Sequence, residues 1–187
     1  MDDEKIETAD ESLILATLRG DDDAFAHLVA RYKRRVFSLS ARFARDGDEL
    51  EDICQEVFIK AYENLVGFRN DAPFENWLTR ITVRTCYDTL RRNRRARNHT
   101  PLHDLTFEVR DYSVESRQEA WHAHELLTWA LAKLRPDERL IITLLELEEK
   151  TVREVSALTS WSEGNVKVRA HRARKELKRI LEESHER

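Results

Sequence analysis

The chain has 187 residues, 41% of them hydrophobic and 36% charged, against about 25% charged in an average globular protein. It holds only 4 glycines and 3 prolines, where average usage would supply about 22; this excludes folds built on tight turns and Gly-cradled phosphates, and no run approaches the ~18 apolar residues of a membrane span. The net charge of −4 hides a segregation: residues 31–45 carry six bases and no acid, 46–63 seven acids and one base, 80–97 seven arginines against Asp88, and 164–180 seven bases against Glu176. Basic blocks between acidic ones suggest surfaces for different partners, with nucleic acid the natural partner of two of them. The composition predicts an all-α fold.

Residues 1–10 read as an acidic leader, the opposite of a signal peptide. Leu13, Ile14 and Leu18, then Phe25, Leu28, Val29, Tyr32, Val36 and Leu39, recur at helical spacing and predict two helices broken near Gly20. Asp21 to Asp23 stand where a cap and first-turn acids belong. After a break at Asp46-Gly47-Asp48, Leu50, Ile53, Cys54, Val57, Phe58, Ala61 and Leu65 define a third helix. The segment FRNDAPFEN (68–76) reads as a loop, and Trp77 to Leu90 as a fourth helix. Periodicity fades from about Arg94 to Glu119 and returns from Ala120 with Trp121, Leu126, Leu127, Ala130, Leu131 and Leu134. Pro136-Asp137 opens a helix through Leu147, followed by short and long helices at Thr151 to Leu158 and Glu163 to Leu181. The expected organisation is a leader (1–10), two small helical domains (11–95 and 120–187) and a flexible linker (96–119). Cys54 and Cys86 lie inside helical patterns, so no disulfide framework is expected, but buried thiols in a reducing cytoplasm.

The segment TVREVSALTSWSEGNVKVRAHRARKEL has helix-turn-helix form. Val152, Val155 and Leu158 supply the inner face of its first helix, and Ser162 is placed to cap its second. There Val166, Ala170, Ala173 and Leu177 fall on one face, leaving Lys167, Arg169, His171, Arg172 and Arg174 outside. Long hydrogen-bonding side chains and cations in the N-terminal half are what a helix reading duplex DNA requires. The same pattern suits a solvated basic face on an ordinary helical hairpin, with Trp161 packing at the turn.

On the third helix Asp52, Gln55, Glu56, Ile59 and Glu63 form a stripe opposite Ile53, Val57 and Ala61, suited to a basic protein partner or simply to solvent. The segment FRNDAPFENWLTRITVRTCYDTLRRNRR follows. Its polar loop, flanked by Phe68, Phe74 and Trp77, runs into clustered arginines, the chemistry that single-stranded bases and phosphates require. Phe74 and Trp77 suit a core role equally. His99, His103, His122 and His124 have no cysteine partners and make no metal site. No nucleophile set, phosphate loop or carboxylate pair is present; neither an enzyme nor a cofactor is expected.

Together EDICQEVFIKAYENL, FRNDAPFENWLTRI and DTLRR resemble conserved region 2 of bacterial sigma factors, and GNVKVRAHRARKEL resembles region 4. The ordered pair in fewer than 200 residues resembles the extracytoplasmic-function (ECF) group of the sigma-70 family, over about residues 11–95 and 120–181. The resemblance implies a factor that binds core RNA polymerase through the β′ clamp helices and the β subunit, directs initiation at promoter DNA, and is itself held by an anti-sigma factor. It implies core docking by Asp52, Gln55, Glu56, Phe58 and Ile59. It implies capture and melting of the −10 element by Phe68, Asn70, Asp71, Asn76, Trp77, Arg80, Arg84, Asp88, Arg91 and Arg92, and reading of the −35 element by Asn165, Lys167, Arg169, His171, Arg172 and Arg174. The chain departs from the family pattern in Arg84, where asparagine is common, and in the tryptophan of SALTSWSEGN. The alternative is a stand-alone helix-turn-helix regulator; a nucleic-acid-processing enzyme is disfavoured by the missing catalytic set.

Overall fold

The computed structural model describes residues 2–97 and 125–185, with side chains described for 10–96 and 125–184. The expected linker beyond Arg97, Trp121 and the four histidines weighed as ligands lie outside the described residues. Among those residues the regular structure is helical throughout. Contacts divide the chain into two units between Thr89 and Leu90.

In the first unit α1 (Asp2–Leu18) packs on α2 (Asp22–Ala41), and α2 on α3 (Gly47–Asn64). α1 begins at Asp2, so the helix runs through the segment read as a leader. It ends where Gly20 adopts φ 95°, the left-handed conformation that closes a helix without a Cβ penalty. Asp21 then accepts a bond from the Ala24 N–H at 3.1 Å, and Asp46 caps α3 through the Glu49 N–H at 2.8 Å. These two caps restart the chain at the predicted breaks. Leu28, Phe43, Ile53, Val57, Leu65 and Val83 are essentially inaccessible and form the core.

Among the described residues of this unit, buried side-chain polar groups are paired. The Asp10 carboxylate accepts from the Tyr32 hydroxyl and the Arg31 guanidinium, fastening α1 to α2. Burial, then the bond to Asp10, pushes the Tyr32 phenol well above its ordinary range and keeps it a donor. Cys86 is buried as expected, whereas Cys54 is half-buried, because its place on α3 falls beside the core face and not within it. Burial raises the Cys54 thiol pKa, offset in part by a bond with Ser40.

A 3₁₀ turn (Leu65–Gly67) leads to the loop before α4 (Phe74–Arg97). That helix starts three residues earlier than the sequence pattern suggests. Pro73 accepts from the Asn76 and Trp77 N–H groups at 2.9 and 3.3 Å, and a proline costs nothing at a helix start, where its missing N–H has no partner to lose.

In the second unit α5 (residues 125–133) precedes α6 (Pro136–Ile142), α7 (Val152–Thr159) and α8 (Glu163–His185). The helix expected from Pro136 to Leu147 widens into a π turn at Thr143–Leu147, with the Glu148 N–H reaching the Thr143 carbonyl at 2.9 Å. Thr151 caps α7 in a reciprocal capping box with Glu154. Leu140, Ile141, Leu144, Val155, Val166 and Ala173 form the core where α6 and α7 pack on α8.

Candidate nucleic-acid interface

The α3 stripe is on the outside. Ile53, Val57 and Ala61 are buried, while Asp52, Gln55 and Glu63 are exposed and Ile59 retains 48% of its surface. Glu56 and Phe58 are half-buried. Glu56 is 2.7 Å from Lys60 Nζ, and Lys60 also donates to Thr85 Oγ1 on α4 at 3.3 Å. The stripe is therefore anchored at Glu56 and open at Asp52, Gln55 and Ile59: an apolar side chain ringed by acceptors, the composition of a protein contact more than of a phosphate contact.

The loop after α3 lies on an aromatic wall. Phe68, Phe74 and Trp77 contact one another with centroids 5.4–5.7 Å apart, and Tyr32 reaches Phe74 at 5.4 Å. Phe74 is core, at 3% exposure, whereas Phe68 and Trp77 are half-exposed. Asn70, Asp71 and Asn76 are exposed beside them. Asn70 takes a left-handed backbone, φ 56°, a conformation asparagine tolerates better than most residues, and its amide donates to Glu11 of α1. Asn76 belongs to the first turn of α4 and not to the loop. Polar side chains above two half-exposed rings can hold an unstacked base by its edge and its face.

On α4 the inward face carries Leu78, Val83, Cys86 and Leu90 together with Thr79, Thr82, Thr85 and Thr89. Three of these threonines return their hydroxyls to their own helix: Thr79 to Glu75, Thr82 to Leu78 and Thr89 to Thr85, at 2.7–3.1 Å. Arg80, Arg84 and Asp88 are exposed at i, i+4 and i+8, and Arg91 and Arg92 are exposed further along. The spacing makes a polycationic edge interrupted by one acid, which suits successive phosphates.

In α7–α8 the turn is fixed by Ser160 at φ 62° and by Ser156 Oγ donating to the Trp161 carbonyl at 2.6 Å. Ser162 Oγ accepts from the Asn165 N–H at 3.3 Å, as the sequence anticipates. Asn165, Lys167, His171, Arg172 and Arg174 are exposed; Arg169 is half-buried. Arg169 stacks on Trp161 at 4.4 Å, donates from Nε to Asn165 Oδ1 at 2.5 Å, and pairs through Nη1 with Asp137 of α6. Arg174 pairs with Glu146, Nη2 to Oε1 2.7 Å. The outward face is thus led by Lys167, His171 and Arg172. Val168, which sequence reasoning passed over, is 51% exposed among them; its position off the Val166–Ala170–Ala173 stripe was the available signal.

Among the described residues no three His, Cys, Asp or Glu side chains gather as a metal site.

The sigma-70 region 2 family matches residues 28–96 and sigma-70 region 4 matches residues 124–177. The RNA polymerase sigma-H factor of Pseudomonas aeruginosa is 32% identical, over 92% of this chain and 94% of that protein. This chain belongs to the sigma-70 family, in its ECF group. The ECF RNA polymerase sigma-E factor of Escherichia coli K12 is 32% identical, over 90% and 92% of the two chains. The ECF sigma factor SigM of Mycobacterium tuberculosis is 30% identical, over 94% and 86%. Among solved structures, CnrH in complex with the cytosolic domain of CnrY superposes with TM-score 0.60 and 25% identity, covering 93% of this chain and 97% of that one. RpoE of Bartonella quintana, in complex with the anti-sigma factor NepR, shares the fold at TM-score 0.60 and 19% identity, over 84% and 96%.

Two expectations are corrected here. The anti-sigma factor expected to hold this chain is shown for a neighbour and not for this chain: NepR is the bound partner in the RpoE complex. The cytoplasmic assignment is not carried by the fold: the finding is that, among the described residues, no helix is long and apolar enough to cross a membrane.

Proposed function

We propose that this ECF sigma factor divides promoter recognition between its two helical domains, with limits near 11–95 and 120–187. The protein binds core RNA polymerase and directs it to promoters; the division of labour among its surfaces is our reading. The open part of the α3 stripe, Asp52, Gln55 and Ile59, docks on the β′ clamp helices, supported at its edge by Glu56 and Phe58. Asn70, Asp71 and Asn76, against Phe68 and Trp77, hold a flipped base of the −10 element. Arg80, Arg84, Arg91 and Arg92, with Asp88 among them, guide the strand. Lys167, His171, Arg172 and Val168 enter the −35 major groove, where Val168 offers an apolar contact of the kind a thymine methyl makes.

The observation that carries this reading is the order, in one chain, of a polar loop on half-exposed aromatics and a capped basic helix. A stand-alone helix-turn-helix regulator needs only the second. The CnrH neighbour, solved with the cytosolic domain of CnrY, supports a protein partner for this chain as well, which we take to be an anti-sigma factor. Reconstitution with core polymerase tests the division. Exchange of residues 68–76 for those of another ECF factor should alter −10 preference and leave core affinity and −35 preference alone. A swap that moved −35 preference instead would overturn the assignment.

A further inference from the structure

The acid-free block at residues 31–45 has no task in the division of surfaces proposed so far. On α2 most of it sorts into one stripe. Arg31, Arg34, Arg35, Ser38 and Arg42 are all exposed and stand at i, i+3, i+4, i+7 and i+11, the spacing of one helix face. Tyr32, Val36 and Leu39 face the core instead. Arg42 keeps right-handed helical dihedrals at the cap, φ −68° and ψ −16°, so the register holds to the end of the helix. Lys33 is exposed too, but it lies about 100° round the helix from Arg34 and outside the stripe. Arg45 is committed elsewhere, its Nε donating to Glu49 Oε1 at 3.0 Å.

Helix stability does not account for this stripe. Like charges one turn apart, as at Arg31 and Arg35, weaken a helix. The helix dipole favours cations only in the last turn, and Arg31, Arg34 and Arg35 all precede it. The surroundings are more informative. Tyr32 lies against Phe74 at 5.4 Å, and Arg35 Nη1 reaches Glu75 at 2.5 Å, in the first turn of α4 between Phe74 and Asn76. One edge of the stripe therefore meets the aromatic wall of the 68–76 loop. Arg31 pairs with Asp10, again through Nη1. A guanidinium carries five N–H groups, so these acids fix two arginines in place and leave them donors to spare. Arg34 makes no ion pair among the described residues.

We propose that the α2 stripe is a track for the phosphates of single-stranded promoter DNA, taking the strand as it leaves the base held by the 68–76 loop. This rests on the reading of that loop as the −10 pocket and adds where the strand runs next. A base drawn out of its stack leaves the phosphates of its neighbours to be neutralised, which is the work of a cationic groove beside stacking rings. The stripe is about 16 Å long, the reach of several nucleotides. An acidic protein would meet the same charges, but protein contacts are organised round apolar or aromatic anchors. The exposed large hydrophobic of this block, Phe37, stands one turn from Lys33, outside the stripe.

The experiment is an anisotropy titration of reconstituted holoenzyme on forked promoter DNA, single-stranded through the −10 element, over a series of salt concentrations. Arg34→Ala should lower the salt slope by about 0.7, the value of one phosphate contact on a single strand, and leave affinity for core polymerase unchanged. Arg34→Glu should weaken fork binding further. Lys33→Ala, the same loss of charge off the stripe, should leave the slope in place. Trimming the single strand on one side of the held base should abolish the difference between wild type and Arg34→Ala. The proposal is overturned if Arg34→Ala keeps the wild-type slope, if Lys33→Ala lowers it equally, or if the difference survives trimming on either side. It is overturned as well if Arg34→Glu weakens core binding in the absence of DNA, which would make the stripe a protein contact. Asp71→Ala with Asn76→Ala separates the two readings. Unchanged fork binding in that variant removes the −10 pocket and the track together, whereas weakened binding there beside an inert Arg34→Ala removes the track alone.

Discussion

At the scale of single residues, the polar groups that matter for stability are those whose partners lie far along the chain. Asp10 is 3% exposed and shares its carboxylate between Arg31 and Tyr32. Tyr32→Phe removes one donor and leaves the acid buried, a loss of about 1–3 kcal/mol, readable as a lower urea midpoint with unchanged slope. Thr151 acts locally. Its hydroxyl, then its backbone N–H, bonds to Glu154 and holds that carboxyl below its ordinary range. A carboxyl depressed in the folded state stabilises above its unfolded pKa and loses that contribution as pH falls through the folded value. Thr151→Ala should therefore cost roughly 1 kcal/mol at neutral pH, and the gap to wild type in chemical unfolding should narrow below about pH 4.

At the scale of helices, the acidic stripe of α3 admits a clean test because its members differ in their ties. Glu56 is bonded to Lys60, so replacing it disturbs the Lys60 link to α4 as well. Asp52 and Gln55 are exposed on the same stripe. Asp52→Ala with Gln55→Ala should leave helicity and thermal midpoint in place and weaken core polymerase binding by ~2 kcal/mol or more if the contact is desolvated; equal affinity in a folded variant would sink the docking assignment. The helices themselves were legible from sequence wherever the signal was local. Asp21 and Ser162 cap as their positions suggest, Asp46 caps within the expected break, and the period of Ile53, Val57 and Ala61 marks the buried face. The Thr151-x-x-Glu154 box is an equally local signal. The rest depended on distant partners. Arg169 meets Asp137 across 32 residues, so its periodicity placed it outside while its pairing drew it half inside. The first ten residues looked like a solvated leader because nothing in them advertises that Asp10 would meet Tyr32. The π turn at Thr143 has no pattern of its own, since Leu144 and Leu147 suit an ordinary helix equally.

At the scale of the whole chain, net charge and local charge oppose each other. A net −4 gives no long-range attraction to a polyanion, so on the proposed division of surfaces affinity for DNA would rest on counterion release at the arginines of α4 and the cations of α8. Free protein should bind promoter duplex weakly in fluorescence anisotropy at physiological salt and tightly once core polymerase is added; tight sequence-specific binding by the free chain would show that its DNA-binding surfaces need no polymerase to align them. The contact between Asn70 and Glu11 spans 59 residues of sequence and ties the order of the loop to the seating of the first helix. In native-state hydrogen exchange, the slow amides of α1 and those of residues 68–72 should open together with one shared free energy, below that of α3, whose amides should exchange only through global unfolding. The loop proposed to hold a base, tied in this way to α1, would be loosened by anything that peels that helix away.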